Sequence, residues 1–563
     1  MSFSLKQILA ATFFLVLTAS CRKEATGRIE RVAILRFDNL SGDTSLDWIS
    51  AAAPRMWQAQ LSGQPASVAH VMDRASEAPR VDATQQISGY FFKRGGALRG
   101  TLIVEDAVTH STKTIVVENS DAVAVVDSLS AQLGLPLRNL PTRNGKALAL
   151  YGQSFALHDK AEVVARLEGA VKEDPAFGVA WLELATRTGG DQVAARALAQ
   201  KTIPPLERAA LAVRAMPPTA TAAERLAKFE ALAELYPADI QLANETAEFA
   251  TTARRLDVAV RWYTKITQLR PSSIQTWNSK AYSEAFLGDF EAAKKSLERY
   301  RELSPNDANV DDSIGEIYYM FGRFAEAEAS FKAAFAKKPS FIGGNTMRKA
   351  AWAKLRAGDA KGASSNYAEF IAFRKGLNDP SIEQRLGQWE YLSGNRAAAK
   401  ARLEKLASDG KHPAATGQLS IWARLEGDRS TAEDWARKSI QSLPAAPQLR
   451  GVVGVAATLA QPDATAEVWK ARFGGHPYAA VGMIASGHYE EAAAHLAQAR
   501  LKMNPLQEFF WRDLEAIALN KAGKKEQARK LLATYSLPET EEDSIVLCFA
   551  YPAEAEARKQ LGK

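Results

Sequence analysis

The sequence predicts a mainly α fold, a long α-solenoid of stacked helical hairpins preceded by a small α/β domain. Three observations carry this. Glycine recurs as Gly288, Gly322, Gly358, Gly394, Gly427, Gly487 and Gly523, at intervals of 34, 36, 36, 33, 60 and 36 residues, with alanine five places after each. A period of that length marks a unit that cannot bury its apolar face alone and must stack on its neighbours. Between residues 30 and 136 the pattern changes to short apolar runs divided by turn formers, which is strand spacing. The composition, 47% hydrophobic and 24% charged over 563 residues, supplies core for both parts and excludes collagen-like, disordered and polytopic membrane chains.

The chain opens with Lys6 and an apolar run over 8–17, shorter than the roughly twenty residues a bilayer span needs. A basic start, a short apolar core and small residues form a secretory signal. Leu17-Thr18-Ala19-Ser20-Cys21 resembles a bacterial lipobox. The resemblance implies that 1–20 is a signal peptide, that Cys21 carries the lipid, and that 21–29 is a linker. The protein is then a membrane-anchored, periplasm-facing lipoprotein of the cell envelope. Arg22 stands where some bacteria place an inner-membrane retention aspartate, which points to the outer membrane. The competing reading is a plain secretory signal with an incidental cysteine. With Cys21 acylated, Cys548 has no intrachain partner, and two cysteines exclude a disulfide scaffold or thiolate zinc cluster.

The α/β domain begins with a buried strand over 32–37, then the turn formers from Asp38 to Asp43. An amphipathic helix is expected over 46–61, strands over 67–72, 87–92, 98–104 and 114–117, and a helix over 122–133 closed by Gly134. Ala33-Ile34-Leu35-Arg36-Phe37-Asp38-Asn39-Leu40-Ser41-Gly42-Asp43 resembles the opening of the TolB amino-terminal-like domain, and Ser88-Gly89-Tyr90-Phe91-Phe92 fits its later strands. The resemblance covers 30–136, and that family brings no catalytic residues. Gly95, Gly96 and Gly100 are followed by Thr101 rather than the lysine a phosphate loop needs, so they read as turn chemistry.

From 146 to 560 each periodic glycine is followed nine places later by Leu297, Phe331, Tyr367, Leu403, Ala436, Leu496 or Leu532. One copy reads Ile314-Gly315, Tyr318, Gly322, Phe324, Ala327, Phe331, Ala334, Pro339, and its neighbour Trp277, Ala281, Gly288, Phe290, Ala293, Leu297, Pro305. This resembles the tetratricopeptide repeat, a helical hairpin, with roughly twelve units in the available length. A degenerate unit is expected around Gly454 and Ala466.

The tetratricopeptide resemblance implies a concave face lined by first-helix positions 2, 5, 9 and 12. Here those are Asn244, Glu248, Asn278, Tyr282, Asp312, Glu316, Tyr319, Arg348, Trp352, Gln384 and Tyr391. Amide, acidic and aromatic groups in one row suit a bound peptide. The competing reading is a solvated helix face whose aromatics pack on the next hairpin. Chaperone-binding members use a lysine–asparagine clamp, absent from this row, and Asp312 with Glu316 would repel a carboxylate.

Nothing in the sequence reads as catalytic. The seven histidines lack the paired pattern of a zinc hydrolase helix, no Gly-x-Ser-x-Gly elbow surrounds a nucleophile, and Cys548 sits in an apolar run as a buried thiol. A net charge of +7, dispersed among acids, argues against nucleic acid. The expectation is a non-enzymatic protein-interaction scaffold without cofactor or metal, whose partners are envelope proteins or peptides. The alternatives are a regulatory or sensory accessory protein acting through the α/β domain, and an envelope hydrolase with an unrecognised site.

Overall fold

The computed structural model describes residues 29–562 apart from 138–139, 218, 411, 442–464, 502, 504 and 537–543. The leader, Cys21 and Gly454 lie outside the described residues, as does the side chain of Cys548. Two compact units divide the chain: residues 1–243 with 268–272, and residues 244–267 with 273–563.

In the first unit the elements run β1 (Glu30–Leu35), β2 (Asp38–Asn39), α1 (Asp47–Ser62), β3 (Ser67–Met72), β4 (Gln85–Arg94), β5 (Ala97–Asp106), β6 (Thr112–Asn119) and α2 (Ala122–Gln132). The sheet order is β3-β1-β4-β5-β6, with β2 beside β4. Val32, Ala33 and Ile34 of β1 are fully buried, which suits a strand held between two parallel neighbours. Gly95 and Gly96 turn β4 into β5 with φ of 57° and 87°, as a two-residue hairpin loop requires. The turn formers at 38–43 do more than turn. Asp38 and Asn39 pair with Tyr90 and Phe91, and Asn39 Oδ1 then accepts the Ser41 amide at 3.0 Å.

The helices α3 (Gly145–Ser154), α4 (Lys160–Glu173), α5 (Gly178–Thr188), α6 (Asp191–Leu198), α7 (Pro205–Arg214) and α8 (Ala222–Leu235) follow in the same unit. One apolar cluster runs from Val32 and Trp48 through Leu148, Leu167 and Trp181 to Leu211, so the sheet and the first hairpins share a core. The closest approach is at Gly152, where a Cβ would lie 2.4 Å from Trp48 Cα. The joining segment is also tied down, with the Leu140 amide donating to Asp127 at 2.8 Å. A break near 136–146 is therefore a change of element type and not a break in packing.

Beyond them come α9 (Ile240–Thr252), α10 (Leu256–Leu269), α11 (Ile274–Phe286), α12 (Phe290–Leu303), α13 (Ala308–Met320), α14 (Phe324–Lys337), α15 (Asn345–Arg356), α16 (Ala360–Gly376), α17 (Ile382–Leu392), α18 (Arg396–Ala407), α19 (Pro413–Leu425) and α20 (Arg429–Gln441). After 464 the chain continues as α21 (Ala466–Phe473), α22 (Tyr478–Ala485), α23 (Tyr489–Arg500), α24 (Pro505–Lys521), α25 (Lys525–Leu531) and α26 (Ser544–Leu561). Successive helices pack as antiparallel pairs, α11 with α12 through α19 with α20, and again α24 with α25.

The glycine period has a backbone cause. All seven periodic glycines adopt φ between 72° and 97°, the left-handed conformation that ends a first helix. The alanines five places on are at most 1% exposed, and the residues nine places on are at most 6% exposed. At Gly315 a Cβ would lie 2.6 Å from the Phe331 ring, so the hairpin closes only because that position has no side chain.

Gly152→Ala should destabilise the first unit by about 1–3 kcal/mol, since the methyl meets Trp48 backbone that cannot rotate away. Chemical denaturation checks this. If Gly152→Ala melts like wild type, the sheet and the hairpins do not share one tightly packed core.

Candidate protein-binding surface

The row of expected binding residues lies on the first helices α9, α11, α13, α15 and α17. Asn244 and exposed Glu248 face each other one turn apart, Nδ2 donating to Oε1 at 2.7 Å. Asn278, 8% exposed, holds its Oδ1 buried with no hydrogen-bond partner among the described residues. Tyr282, one turn further on, donates its hydroxyl to Glu316.

Asp312 and Glu316 are one turn apart on α13 and converge on one ammonium from α15. Lys349 Nζ donates to Asp312 Oδ1 and Oδ2 at 2.9 and 2.8 Å and to Glu316 Oε1 at 2.5 Å. A lysine has three donors, and all are used here. The Nζ also stands 5.6 Å from the Phe331 ring centroid, within cation–π range. Two carboxylates against one cation leave an excess negative charge out of water. Burial first, and then Glu316, push the Asp312 carboxyl up to about 6, with Lys349 pulling the other way. Burial and the two carboxylates raise the Tyr282 phenol well above its ordinary value. Burial alone would lower the Lys349 ammonium, but Glu316 and Asp312 outweigh it and raise it. Asp312 and Glu316 therefore do not present the bare doubly acidic face read from the sequence, because Lys349 takes up one charge.

The remaining members of the row are buried. Tyr319 is 1% exposed, Trp352 3%, Arg348 4% and Tyr391 5%. Tyr391 stacks on Trp422 at 4.1 Å and 6°, Trp352 meets Trp389 edge-on at 6.2 Å, and Tyr319 packs against Phe324. These aromatics pack against other rings of the array, while Gln384 on α17 is half-buried. Asn244, Glu248, Tyr282 and Glu316 keep some exposure.

Part of this burial comes from the chain's own last helices. α26 packs on α17, α19, α24 and α25. Glu554 of α26 accepts from Arg356 Nη2 of α15 at 2.5 Å and from Arg558 Nε at 2.6 Å. Arg356 Nε in turn donates to the Tyr319 hydroxyl at 3.2 Å. The Tyr535 amide donates to the Met320 carbonyl at 2.8 Å, and its ring meets Phe324 edge-on. Arg254, at the turn after α9, reaches the Arg500 carbonyl and Glu508.

Sequence reasoning missed Lys349, Arg356, Glu554 and Arg254. Lys349 lay one residue from Arg348, which a 36-residue spacing selects. The chain around Ile342, Gly343 and Gly344, all at positive φ, precedes α15, and the carboxylate partner falls 37 residues after Asp312. Arg254 carried a signal, because it stands 34 residues before Gly288, where the period calls for glycine, and it adopts φ 58°.

One further polar group stands out. Gln418 on α19 is fully buried, and among the described residues neither its Oε1 nor its Nε2 has a hydrogen-bond partner. Among the described residues no three His, Cys, Asp or Glu side chains are grouped to hold a metal ion, and no helix is long and apolar enough to cross a membrane.

No protein-family model matches the chain, and no curated protein matches it. Among solved structures it is similar to a tetratricopeptide repeat protein from Parabacteroides merdae ATCC 43184, at 14% identity over 47% of this chain and 93% of that one, with a TM-score of 0.30. It is also similar to the APC/C hetero-tetramer Cut9-Hcn1, at 16% identity over 75% of this chain and 77% of that one, with a TM-score of 0.25. At those scores the fold rests on the helical pairs themselves.

Two outcomes are expected. Asp312 titrates near 6 in the fold against 3.8 as its ordinary value, so its contribution to stability is fully present below about 4 and lost as pH rises through 6. Hydrogen exchange in α13 and α15, corrected for intrinsic rates, should show protection rising by about 1–1.5 kcal/mol from pH 7.5 to 5, and Asp312→Asn should flatten that rise. Gln418→Leu should leave stability unchanged or raise it by roughly 1–2 kcal/mol, because it removes an unsatisfied buried amide. A calorimetric loss of similar size would mean that the amide is paired.

Proposed function

We propose that this chain is a non-catalytic bacterial envelope lipoprotein that acts as a protein–protein interaction scaffold, with the hairpin array of tetratricopeptide type as its binding part. The observation that supports the reading is the stacked array itself, on whose successive first helices the polar side chains Asn244, Glu248, Tyr282 and Glu316 keep some exposure. A rigid surface of that kind recognises a chain by hydrogen bonds to its backbone and pockets for its side chains. The partly exposed Asn244, Glu248, Tyr282 and Glu316 are the groups on that row that a partner can reach. Buried Asp312, Tyr319, Arg348, Trp352 and Tyr391 fix the spacing of the helices that present them. The partners are proteins or peptides of the envelope, the membrane is reached through the lipid on Cys21, and neither nucleic acid nor a cofactor is involved.

A diacylated cysteine supplies the membrane affinity in this reading, at about 0.8 kcal/mol per buried methylene. The chain produced in a bacterial host should fractionate with membranes as a processed form beginning at Cys21. Cys21→Ala should move it to the soluble fraction as an unlipidated or unprocessed species. Unchanged membrane fractionation of Cys21→Ala would contradict the anchor. A photo-crosslinking amino acid at Glu248 should capture an envelope protein, whereas one at the exposed Val116 of β6 should not.

A further inference from the structure

We infer that the patch shared by the first helices α9, α11 and α13 takes a basic segment of a partner protein, with a lysine or arginine side chain seated beside Glu248, Tyr282 and Glu316. The inference names the partner class for the protein-binding reading and rests on it.

The packing of the three helices sets the patch. Tyr282 of α11 donates its hydroxyl to Glu316 of α13, 34 residues further on. One turn earlier, on the same helix faces, stand Asn278 and Asp312 at the same spacing, so the two helices bring them level. Asn244 and Glu248 hold the matching places on α9, at the same spacing again. The patch is therefore two short rows, Asn244, Asn278 and Asp312 in one and Glu248, Tyr282 and Glu316 in the other.

Its charges do not balance. Asp312 and Glu316 share the single ammonium of Lys349, which leaves one negative charge over. Glu248 is exposed, and among the described residues its carboxylate meets the Asn244 amide and no cation. Other cations on these helices are engaged. Lys280 pairs with Glu284 at 2.5 Å and Lys337 with Asp311 at 2.5 Å. Arg348, next in the row and 4% exposed, donates to Asn345 of its own helix at 3.2 Å.

An uncharged group points the same way. Asn278 lies between Asn244 and Asp312 in its row, 8% exposed, and its Oδ1 is buried without a hydrogen-bond partner among the described residues. An unmet buried acceptor is costly, and a donor brought by a ligand removes that cost. Carboxylates and an amide oxygen together call for an occupant that carries only donors. Lysine and arginine are such side chains, and their bonds to carboxylates are charge-assisted. The same charges repel acidic segments, and complementarity of this kind sets partner choice more than raw affinity.

The test uses the full chain and two labelled peptides, one alternating lysine with alanine and one alternating glutamate with alanine. Wild type should bind the lysine peptide at least about tenfold more tightly than the glutamate peptide, and more weakly as salt rises. Glu248→Lys, at an exposed position, should remove that preference. Glu298→Lys makes the same charge change on the exposed surface of the second helix α12 and should leave the preference intact. Glu316→Gln leaves Asp312 and Lys349 as a balanced pair and should also weaken the lysine peptide; if it misfolds, Glu248→Lys decides alone. Equal binding of the two peptides would overturn the inference, as would equal losses from Glu248→Lys and Glu298→Lys. Spermidine bound as tightly as the lysine peptide would assign the patch to small polyamines and also overturn it. If the peptide preference fails while a crosslinker at Glu248 still captures an envelope protein, this inference falls and the protein-binding reading stands.

Discussion

The structure depends on how closely two helices of a hairpin can approach, and that is set by where side chains are missing. Gly315 faces the Phe331 ring, and Gly387 faces Leu403, with ideal Cβ distances of 2.6 and 2.8 Å. Gly482 lies against the Trp469 ring at 2.2 Å. Each contact lets a large ring or leucine fill the space a side chain would have taken, at the density of a protein interior. The left-handed glycine at the end of each first helix then allows the short turn that brings the second helix back. Hairpins built this way have apolar faces on both sides, so each must be covered by a neighbour.

That requirement explains why the second unit carries buried ionic groups between its hairpins and against its last helices. Lys349 joins α15 to α13, Arg356 joins α15 to α26, and Arg254 joins the turn after α9 to the start of α24. In each case the cation reaches a carboxylate in another helix, which fixes the register of the two elements. Such pairs set geometry at modest net gain in stability. Arg254 also carries the cost of a left-handed backbone at a position that elsewhere in the array is glycine.

Much of the fold was legible because it is periodic. The glycines, the alanines five places on and the large residues nine places on all serve local geometry, and local geometry repeats with the sequence. The strands of the α/β region were legible as apolar runs between turn formers, except β2, whose two polar residues pair without any apolar signal. The division of units was not legible, since the contact of Gly152 with Trp48 joins distant residues and leaves no period. The surface was half legible. The row on the first helices follows from the repeat, but what covers it does not. Arg356 and Glu554 are 198 residues apart, and nothing in either one's neighbourhood announces the other. Lys349 escaped because the chain before α15 shifts the register that a regular repeat would impose.

The row on the first helices is covered in part by the chain's own last helix, α26, whose Ala557 and Leu561 join the apolar cluster of the second unit. What holds the array together is tested most directly by the stability of Gly315→Ala, whose Cβ would fall 2.6 Å from the Phe331 ring. Close approach of the paired helices predicts a loss of about 1–3 kcal/mol on chemical denaturation, with α13 and α14 losing hydrogen-exchange protection first. A variant as stable as the wild type would contradict it.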